Sequence, residues 1–501
     1  MIKNMESQKT RMRMGLTNCG RLTIALTAAF AGSILAMPRV AAAAERPNVL
    51  FIVVDDLNAW VGHLGNRQAR TPNIDRLAAR GVSFANASAP APACNPSRAG
   101  VMSGLRPAQT GIYENEQDWM AAIPVEQTLT TQFRAAGYDV FGAGKVFHDD
   151  IYRDAEWTGH FVPRDEKLPR DPSAHDDGVG GIKFYPLAAR TEQMPDFKTV
   201  SWSIARLRQH HARPFFLAVG LKKPHMPWAV PKKYFDLFPL ASITLPPYLQ
   251  DDLDDLPAAA GKSSLGLKDH KNMVRSGRWP EAVRAYLASI AFADEQIGRL
   301  IDALESSPYR DNTIVVLWGD NGFHLGEKHR WRKFTLWEEG TRVPLVYVAP
   351  GIAMAGGVSP RPVDLMSIYP TLCELAGIGV PAHVRDPSLL PLLKNPQAQW
   401  NHAGLTTLAK GSSAVRTDRW RYIRYSDGSE ELYDHSADPN EWRNLAAVPD
   451  LGATKVRLSA WLPSSYATPL PFSRRPFPWL FVGAAVAVAA TAAFALRARV
   501  K

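Results

Sequence analysis

Residues 48–54 read Asn-Val-Leu-Phe-Ile-Val-Val, a continuous apolar run rich in branched side chains, and the run ends on Asp55-Asp56. A run this short, with no polar alternation, reads as a strand buried on both faces, as in a parallel sheet. The pattern recurs three times. Residues 138–141 lead to Lys145 and His148, residues 214–219 lead to Lys223-Pro224-His225, and residues 313–318 lead to Asp320-Asn321. Ligands of open α/β sheets gather at the carboxyl ends of strands, so this repetition predicts a single active-site edge. The chain is thereby constrained to an α/β fold, a large doubly wound and mostly parallel sheet flanked by helices.

The remaining pattern fits that sheet. Thr71-Pro72-Asn73-Ile74-Asp75 opens a helix through Arg80, stopped by Gly81. Further helices are expected over 97–102, 128–136, 280–306 and 364–375, and a further strand over 343–348. Beyond residue 400 the character changes. Residues 414–425 and 431–433, joined by Asp427-Gly428, read as antiparallel strands of a small C-terminal subdomain. Residues 160–200 and 245–280 read as long irregular insertions of the kind that shape substrate pockets.

The net charge of +10 hints at nucleic acid, but its distribution argues against it. Eleven of the 58 basic residues and one of the 48 acidic residues lie in 1–44 and 471–501, so 45–470 is formally neutral. Surplus charge at the two ends reads as membrane targeting. A basic region to Arg21, an apolar run over 22–36 and Ala42-Ala43-Ala44 predict a signal peptide over 1–44, with a retained N-terminal anchor as the alternative. Residues 477–496 carry no charge, a span matching a bilayer core of about 30 Å, and are followed by Arg-Ala-Arg-Val-Lys. They are expected to be a transmembrane segment with a cytoplasmic tail over 497–501. A buried Ala-rich helix or a removable sorting tail is the alternative. The intervening order is a catalytic domain over 45–400, the C-terminal subdomain over 401–462 and a Pro/Ser-rich linker over 463–476. The body is then expected to be exported, periplasmic or at the cell surface, anchored by its C-terminal helix.

An exported body holds only Cys94 and Cys373 of the three cysteines. They form at most one disulfide, and none if Cys94 is modified. Cys94 stands in Cys94-Asn95-Pro96-Ser97-Arg98, followed by Ser103-Gly104. One reading is a buried cysteine in a turn, with Ser97 capping a helix. The run also resembles the signature of the type I sulfatases, of the alkaline phosphatase-like superfamily. The resemblance extends in order through Arg46-Pro47-Asn48 with Asp55-Asp56, Thr71-Pro72-Asn73, Gly144-Lys145-Val146-Phe147-His148, Lys223-Pro224-His225, Gly319-Asp320-Asn321-Gly322, Leu325-Gly326-Glu327 and Glu431-Leu432-Tyr433-Asp434. The Gly-Lys-Val-Phe-His run, residues 216–220 before Lys-Pro-His and the placing of Lys333 look most like the iduronate-2-sulfatase branch.

The resemblance implies a sulfuric ester hydrolase. In that family the cysteine becomes Cα-formylglycine, made by a formylglycine-generating enzyme, and the aldehyde hydrate attacks sulfur. One hydroxyl forms a sulfo-enzyme and expels the alcohol; the other loses a proton so that sulfate leaves. Asp55, Asp56, Asp320 and Asn321, with the modified Cys94, would hold Ca²⁺, a hard cation suited to oxygen donors. Arg98 and Lys145 would stabilise the hydrate, and His148 would take its second proton. His225 with Lys333 would contact the sulfate, His225 protonating the leaving oxygen. The expected partners are a sulfated carbohydrate, with the 2-O-sulfate of a uronic acid as best guess, and the membrane through the C-terminal segment; no nucleic acid is expected.

Each of these residues has a plainer role available. Asp55-Asp56 alone would suit a helix cap, Lys145 a helix end, His148 a surface, and Lys333 the charged loop it shares with Lys328, His329, Arg330 and Arg332. Lys223 is left outside the catalytic set, and His324 and His329 are candidates for lining the substrate pocket. Ser103 stands where the family more usually has Thr, Asn321 where the iduronate branch carries His, and Arg385-Asp386-Pro387-Ser388-Leu389 lacks the usual Gly. Two other readings stay open: a phosphodiesterase or phosphonate monoester hydrolase with the same nucleophile, and a non-catalytic protein that binds sulfated glycans.

Overall fold

The computed structural model describes residues 46–148, 152–163, 168–169, 178–260 and 264–472. The signal peptide read over 1–44 and the membrane segment and tail read over 477–501 lie outside the described residues. Among the described residues no helix is long and apolar enough to cross a membrane.

In chain order the described strands are β1 (Asn48–Val54), β2 (Val82–Ser88), β3 (Asp139–Gly144), β4 (Gly159–Phe161), β5 (Phe184–Leu187), β6 (Phe215–Leu221), β7 (Trp228–Pro231) and β8 (Thr313–Gly319). They continue with β9 (His324–Leu325), β10 (Trp331–Arg332), β11 (Arg342–Val343), β12 (Leu345–Val348), β13 (Gly357–Asp364), β14 (Gly404–Ala409), β15 (Ser412–Arg416), β16 (Trp420–Arg424) and β17 (Glu430–Asp434). Nine of them form the main sheet, in the order β11-β2-β12-β8-β1-β6-β3-β4, with β13 beside β2. β1 runs parallel to β6 and β8, and β3 runs parallel to β6 and β4. Only β11 and β12 run against their neighbours.

Alternate residues of β1 feed two cores. Leu50, Ile52 and Val54 pack with the long helix Trp279–Glu305 and with Pro195–Leu207. Val49, Phe51 and Val53 pack on the other face with Val101 and Met102 of the helix Cys94–Ser103 and with Leu372. This is the three-layer α/β/α arrangement that the apolar runs require. Each fully buried Val, Leu, Ile or Phe contributes about 1.5–3 kcal/mol, so β1 alone is a substantial part of the core. The four strands β14–β17 form a small antiparallel sheet. One face packs on Leu336 and Trp337 of the main body, and Leu458 and Leu462 pack against the other.

The structure departs from the sequence expectations at several elements. After α1 (Pro72–Ala79), α2 spans Cys94–Ser103, so the helix expected from residue 97 begins three residues earlier. Pro96 is tolerated because first-turn N–H groups have no intrahelical partner. Ser97 is therefore no cap; its Oγ donates to the Asp320 carbonyl at 2.5 Å. The strand expected over 414–425 is two strands, β15 and β16, turning at 417–419. The insertion 245–280 contains a helix, Ser264–Ser276. Residues 160–200 hold most of β4, all of β5 and the start of helix Pro195–Leu207. Within the linker read over 463–476, part of the chain is bound to the body. Ala467 and Leu470 N–H groups donate to Ala108 and Gly111 carbonyls at 2.7 and 3.0 Å.

Candidate active site

Strand register assembles the site. Val54 of β1 pairs with Gly319 of β8 and Leu221 of β6, and Gly144 of β3 pairs with Gly220. Asp55-Asp56, Asp320-Asn321 and Lys145 therefore leave the sheet along one edge. A Cβ at Gly220 would lie 1.9 Å from the Lys145 carbonyl oxygen, so glycine permits this approach. The Asp56 N–H donates to Asp320 Oδ1 at 2.9 Å, tying the two acidic pairs together. Asp56 has φ of 57°, a left-handed backbone that other residues must hold. Tyr286 of the long helix does so, its hydroxyl donating to the Asp56 carbonyl at 2.8 Å.

Cys94 is the first residue of α2 and is wholly buried. The positive end of the helix lies at its side chain, which favours negative charge there. Its Sγ lies 3.2 Å from Asp55 Oδ1 and 3.8 Å from Asp56 Oδ1, and Lys333 Nζ donates to it at 2.7 Å. Lys333 also donates to Asp56. Lys145 Nζ donates to Asp55 Oδ2 at 2.6 Å. Arg98, one turn into α2, donates through Nε to Asp320 Oδ2 at 2.7 Å and through a terminal nitrogen to the Lys145 carbonyl. Asn95 anchors the helix start, donating to the Gln117 carbonyl at 2.7 Å.

His225 differs from these residues in exposure. Its Nε2 lies 3.8 Å from Asp56 Oδ2, and its side chain is 40 % exposed while that of Asp56 is 2 % exposed. The solvent approach to the cluster is thus on the His225 side. His148 ends the turn after β3 and feels the Lys145, Asp55, Lys333 and Arg98 charges. Cys94, Arg98, Lys145, His148, His225 and Lys333 thus come together with Asp55, Asp56, Asp320 and Asn321. Lys223 supports the site from behind: its ammonium donates to the carbonyls of His225 and Pro227, holding the His225 loop. His324 and His329 are committed to internal contacts, with Thr335 Oγ1 at 2.6 Å and the Leu249 carbonyl at 2.8 Å. Tyr286 carries no sequence signal for its supporting role, because it acts on a backbone group 230 residues away, whereas Asn95 and Ser97 lie in the Cys-Asn-Pro-Ser-Arg run but had no stated role at the site.

The electrostatics follow the contacts. Burial alone would raise the Asp55 carboxyl, but Lys145, His225, Arg98 and Lys333 hold it well below the usual range. Asp56 is likewise lowered, with Lys333 the main counterweight to burial. Asp320 is pushed up to about 6 by burial, which Arg98 offsets only in part. Burial pushes the Cys94 thiol well up, reinforced by Asp320 and Asp55. Burial and then Lys145 push His148 well down, which keeps its ring neutral. Burial lowers His225, with Asp56 and Asp55 pulling it back toward the charged form. Oxygens of Asp55, Asp56 and Asp320 and the Cys94 sulfur lie within 4.8 Å of one another. Asn321 donates its amide to Asp56 Oδ1 at 2.8 Å, and its buried Oδ1 has no hydrogen-bond partner among the described residues. A converging set of hard oxygen donors, one of them unused, fits a divalent cation.

A mostly parallel α/β sheet with carboxylates, an amide and a buried thiol gathered at one strand edge, under three cationic side chains, defines a hydrolase centre of the alkaline phosphatase-like superfamily. The family model described as Sulfatase matches residues 47–378, and that described as N-sulphoglucosamine sulphohydrolase, C-terminal, matches residues 326–465. The chain belongs to the type I sulfatase family and is a sulfuric ester hydrolase. It is 38% identical over 452 residues to a sulfatase of Formosa agariphila, covering 85% of this chain and 88% of that one. It is 30% identical over 489 residues to the iduronate 2-sulfatase of Mus musculus, covering 87% and 85%. A solved 2-O GAG sulfatase is similar in fold, with a TM-score of 0.66 and 25% identity over 83% of this chain and 91% of that one. The family generally uses formylglycine and a divalent metal.

Proposed function

We propose that the chain removes sulfate from a carbohydrate, with the 2-O-sulfate of a uronic acid as its substrate class, using formylglycine made from Cys94 and a bound Ca²⁺. The observation that carries this reading is the placing of residue 94. It sits at a helix N-terminus, with Lys333 Nζ 2.7 Å and Asp55 Oδ1 3.2 Å from its sulfur. The uronic acid assignment draws on the names of the two similar proteins above, an iduronate 2-sulfatase and a 2-O GAG sulfatase.

Asp55, Asp56, Asp320 and Asn321 would hold the cation, which when bound supplies positive charge for the sulfate oxygens. The aldehyde hydrate supplies one hydroxyl as nucleophile and a second that can be deprotonated. Lys333 holds negative charge at residue 94, Lys145 keeps Asp55 ionised, and Arg98 aims Asp320 through its Nε. His148, held neutral, accepts the proton of the second hydroxyl. His225, at the open side, gives a proton to the leaving alcohol oxygen. Burial of the whole set strengthens each of these electrostatic contacts.

Export, with the body held to a membrane by residues 477–496 and Cys94 converted by a formylglycine-generating enzyme, completes the reading. The apolar runs over 22–36 and 477–496 and the neutral body support it. The test is the mass of the tryptic peptide containing Cys94, from a host that modifies such motifs. A loss of about 18 Da relative to cysteine, the difference between CH₂SH and CHO, is expected. Unmodified cysteine there sinks the proposal. Faster turnover of phosphate than of sulfate esters would redirect it to phosphonate or phosphodiester chemistry.

A further inference from the structure

Six non-glycine residues of the described chain have left-handed backbone, and four of them, Lys328, His329, Arg332 and Phe334, fall within the seven residues around Lys333. Such conformations persist only where the surroundings over-determine them. Tyr248, Asp252, Asp269 and His270 supply most of that constraint, and they lie in the insertion that the sequence left irregular. Lys328 Nζ donates to Asp252 Oδ1 at 2.8 Å, both side chains buried. The His329 ring stacks against Tyr248 and His270, with centroids 4.9 and 5.2 Å apart. Arg332 Nε donates to Asp269 Oδ2 at 2.6 Å. On the far side, the Phe334 N–H donates to the Pro92 carbonyl at 3.1 Å, two residues before Cys94.

Lys333 is thus the one cationic side chain of this loop that turns to Cys94 and Asp56, while its neighbours are held by the insertion. A lysine has a long flexible stem and a point charge, so its own rotamers define its place poorly. The backbone from which it leaves has to be fixed instead. We propose that Asp269, acting through Arg332, is a positioning residue for Lys333, and that the helix Ser264–Ser276 serves the reaction by aiming that ammonium at residue 94. The inference rests on the reading of Lys333 as a group that touches the nucleophile. It assigns to a surface insertion a catalytic consequence beyond shaping the substrate pocket.

The test is a double-mutant cycle on the full chain with Ca²⁺ present, using 4-nitrophenyl sulfate and a 2-O-sulfated uronic acid disaccharide. Asp269→Asn should lower kcat about 10- to 100-fold, the scale of a misplacement near 1 Å, with a much smaller change in KM. Asp269→Glu, which keeps the ion pair, should recover most of the loss. In the slower Lys333→Ala background, Asp269→Asn should cost nothing further, because its effect passes through the missing ammonium. Additive losses in the double variant, or full activity of Asp269→Asn, would overturn the inference and leave the sulfatase reading intact. Wild-type kcat in Lys333→Ala would overturn the inference together with the reading of Lys333 as a group that serves the nucleophile, and would leave the sulfatase activity itself standing. Should Asp269→Asn lose its near-UV dichroism, Arg332→Lys takes its place in the cycle. It keeps the charge without the fork, and the same additivity decides.

Discussion

Two buried clusters in this molecule look alike on a list of charges and behave differently. At the sheet edge, Asp55, Asp56 and Asp320 face Arg98, Lys145 and Lys333. Between the main body and the small sheet, Glu338 and Glu441 face Arg416, Arg421 and His435. Both bring metal-ligating atoms within 4.8 Å, Asp55, Asp56, Cys94 and Asp320 in one and Glu338, His435 and Glu441 in the other. In the second cluster the guanidinium of Arg421 lies between the two carboxylates and pairs with each. Burial would raise Glu338 and Glu441, but the arginines and His435 hold both below their usual range. That cluster neutralises itself. In the first, Asp320 stays raised to about 6 and Asn321 Oδ1 stays unpartnered among the described residues. A charge cluster that satisfies itself is architecture; one that leaves donor atoms unused is built for something not in the chain.

The largest effect should come from breaking the first cluster. Cys94→Ala and Asp320→Ala should each lower turnover by at least about 10⁴-fold, as loss of a nucleophile does elsewhere. Far-UV dichroism should stay near wild type in both variants, and so should the unfolding midpoint of Cys94→Ala; Asp320→Ala, which leaves the buried Arg98 without its carboxylate, should unfold at a lower midpoint. Activity within tenfold of wild type in either variant would remove residue 94 or the acidic set from the mechanism.

The first cluster was largely legible in the sequence and the second was not. Asp55-Asp56 and Asp320-Asn321 end apolar runs whose pairing follows from the parallel sheet, and Cys94 announces itself in a short motif. Parallel register then brings the pairs together without further information. β2 was missed because five of the seven residues of Val-Ser-Phe-Ala-Asn-Ala-Ser are small or polar, although it carries pairings to β11, β12 and β13. Its stability comes from neighbours more than 250 residues away. Glu338, Arg421 and Glu441 lie in three separate segments, so no local pattern joins them. Asp386, in the loop lacking its usual Gly, pairs with Arg106, which also holds Asp364. The start of α2 was misplaced because Ser97 suits a helix cap, whereas the helix starts at Cys94 and holds Pro96 in its first turn.

Glu338→Gln tests the other half of the comparison. Removing one partner from a buried ion pair costs about 3–5 kcal/mol, and the retained amide oxygen places this variant at the low end. The kcat of the folded fraction should be unchanged. The sign of the pH dependence follows from the lowered carboxyl. Its stabilisation is fully present above the unfolded-state pKa of about 4.3 and is lost as pH falls toward the lower folded value. The gap between wild type and Glu338→Gln in urea unfolding should therefore narrow from pH 6 toward pH 3. A gap that widens on acidification would mean that Glu338 is not held ionised by its arginines.

The smaller stability effect distinguishes the clusters by what they bind. A ligand that binds only the folded state stabilises it by RT ln(1 + [L]/Kd), about 2.7 kcal/mol at a hundredfold excess over Kd. Ca²⁺ added to chelator-treated protein should therefore raise the unfolding midpoint, and Asp320→Ala should abolish the shift because it removes a ligand. Glu338→Gln should lower the midpoint at every Ca²⁺ concentration and leave the Ca²⁺-induced increment unchanged. The two effects should add, since the clusters share no partner. If Glu338→Gln removed the increment and Asp320→Ala kept it, the cation would belong to the second cluster. The distinction between a self-satisfied cluster and an open one would then be wrong.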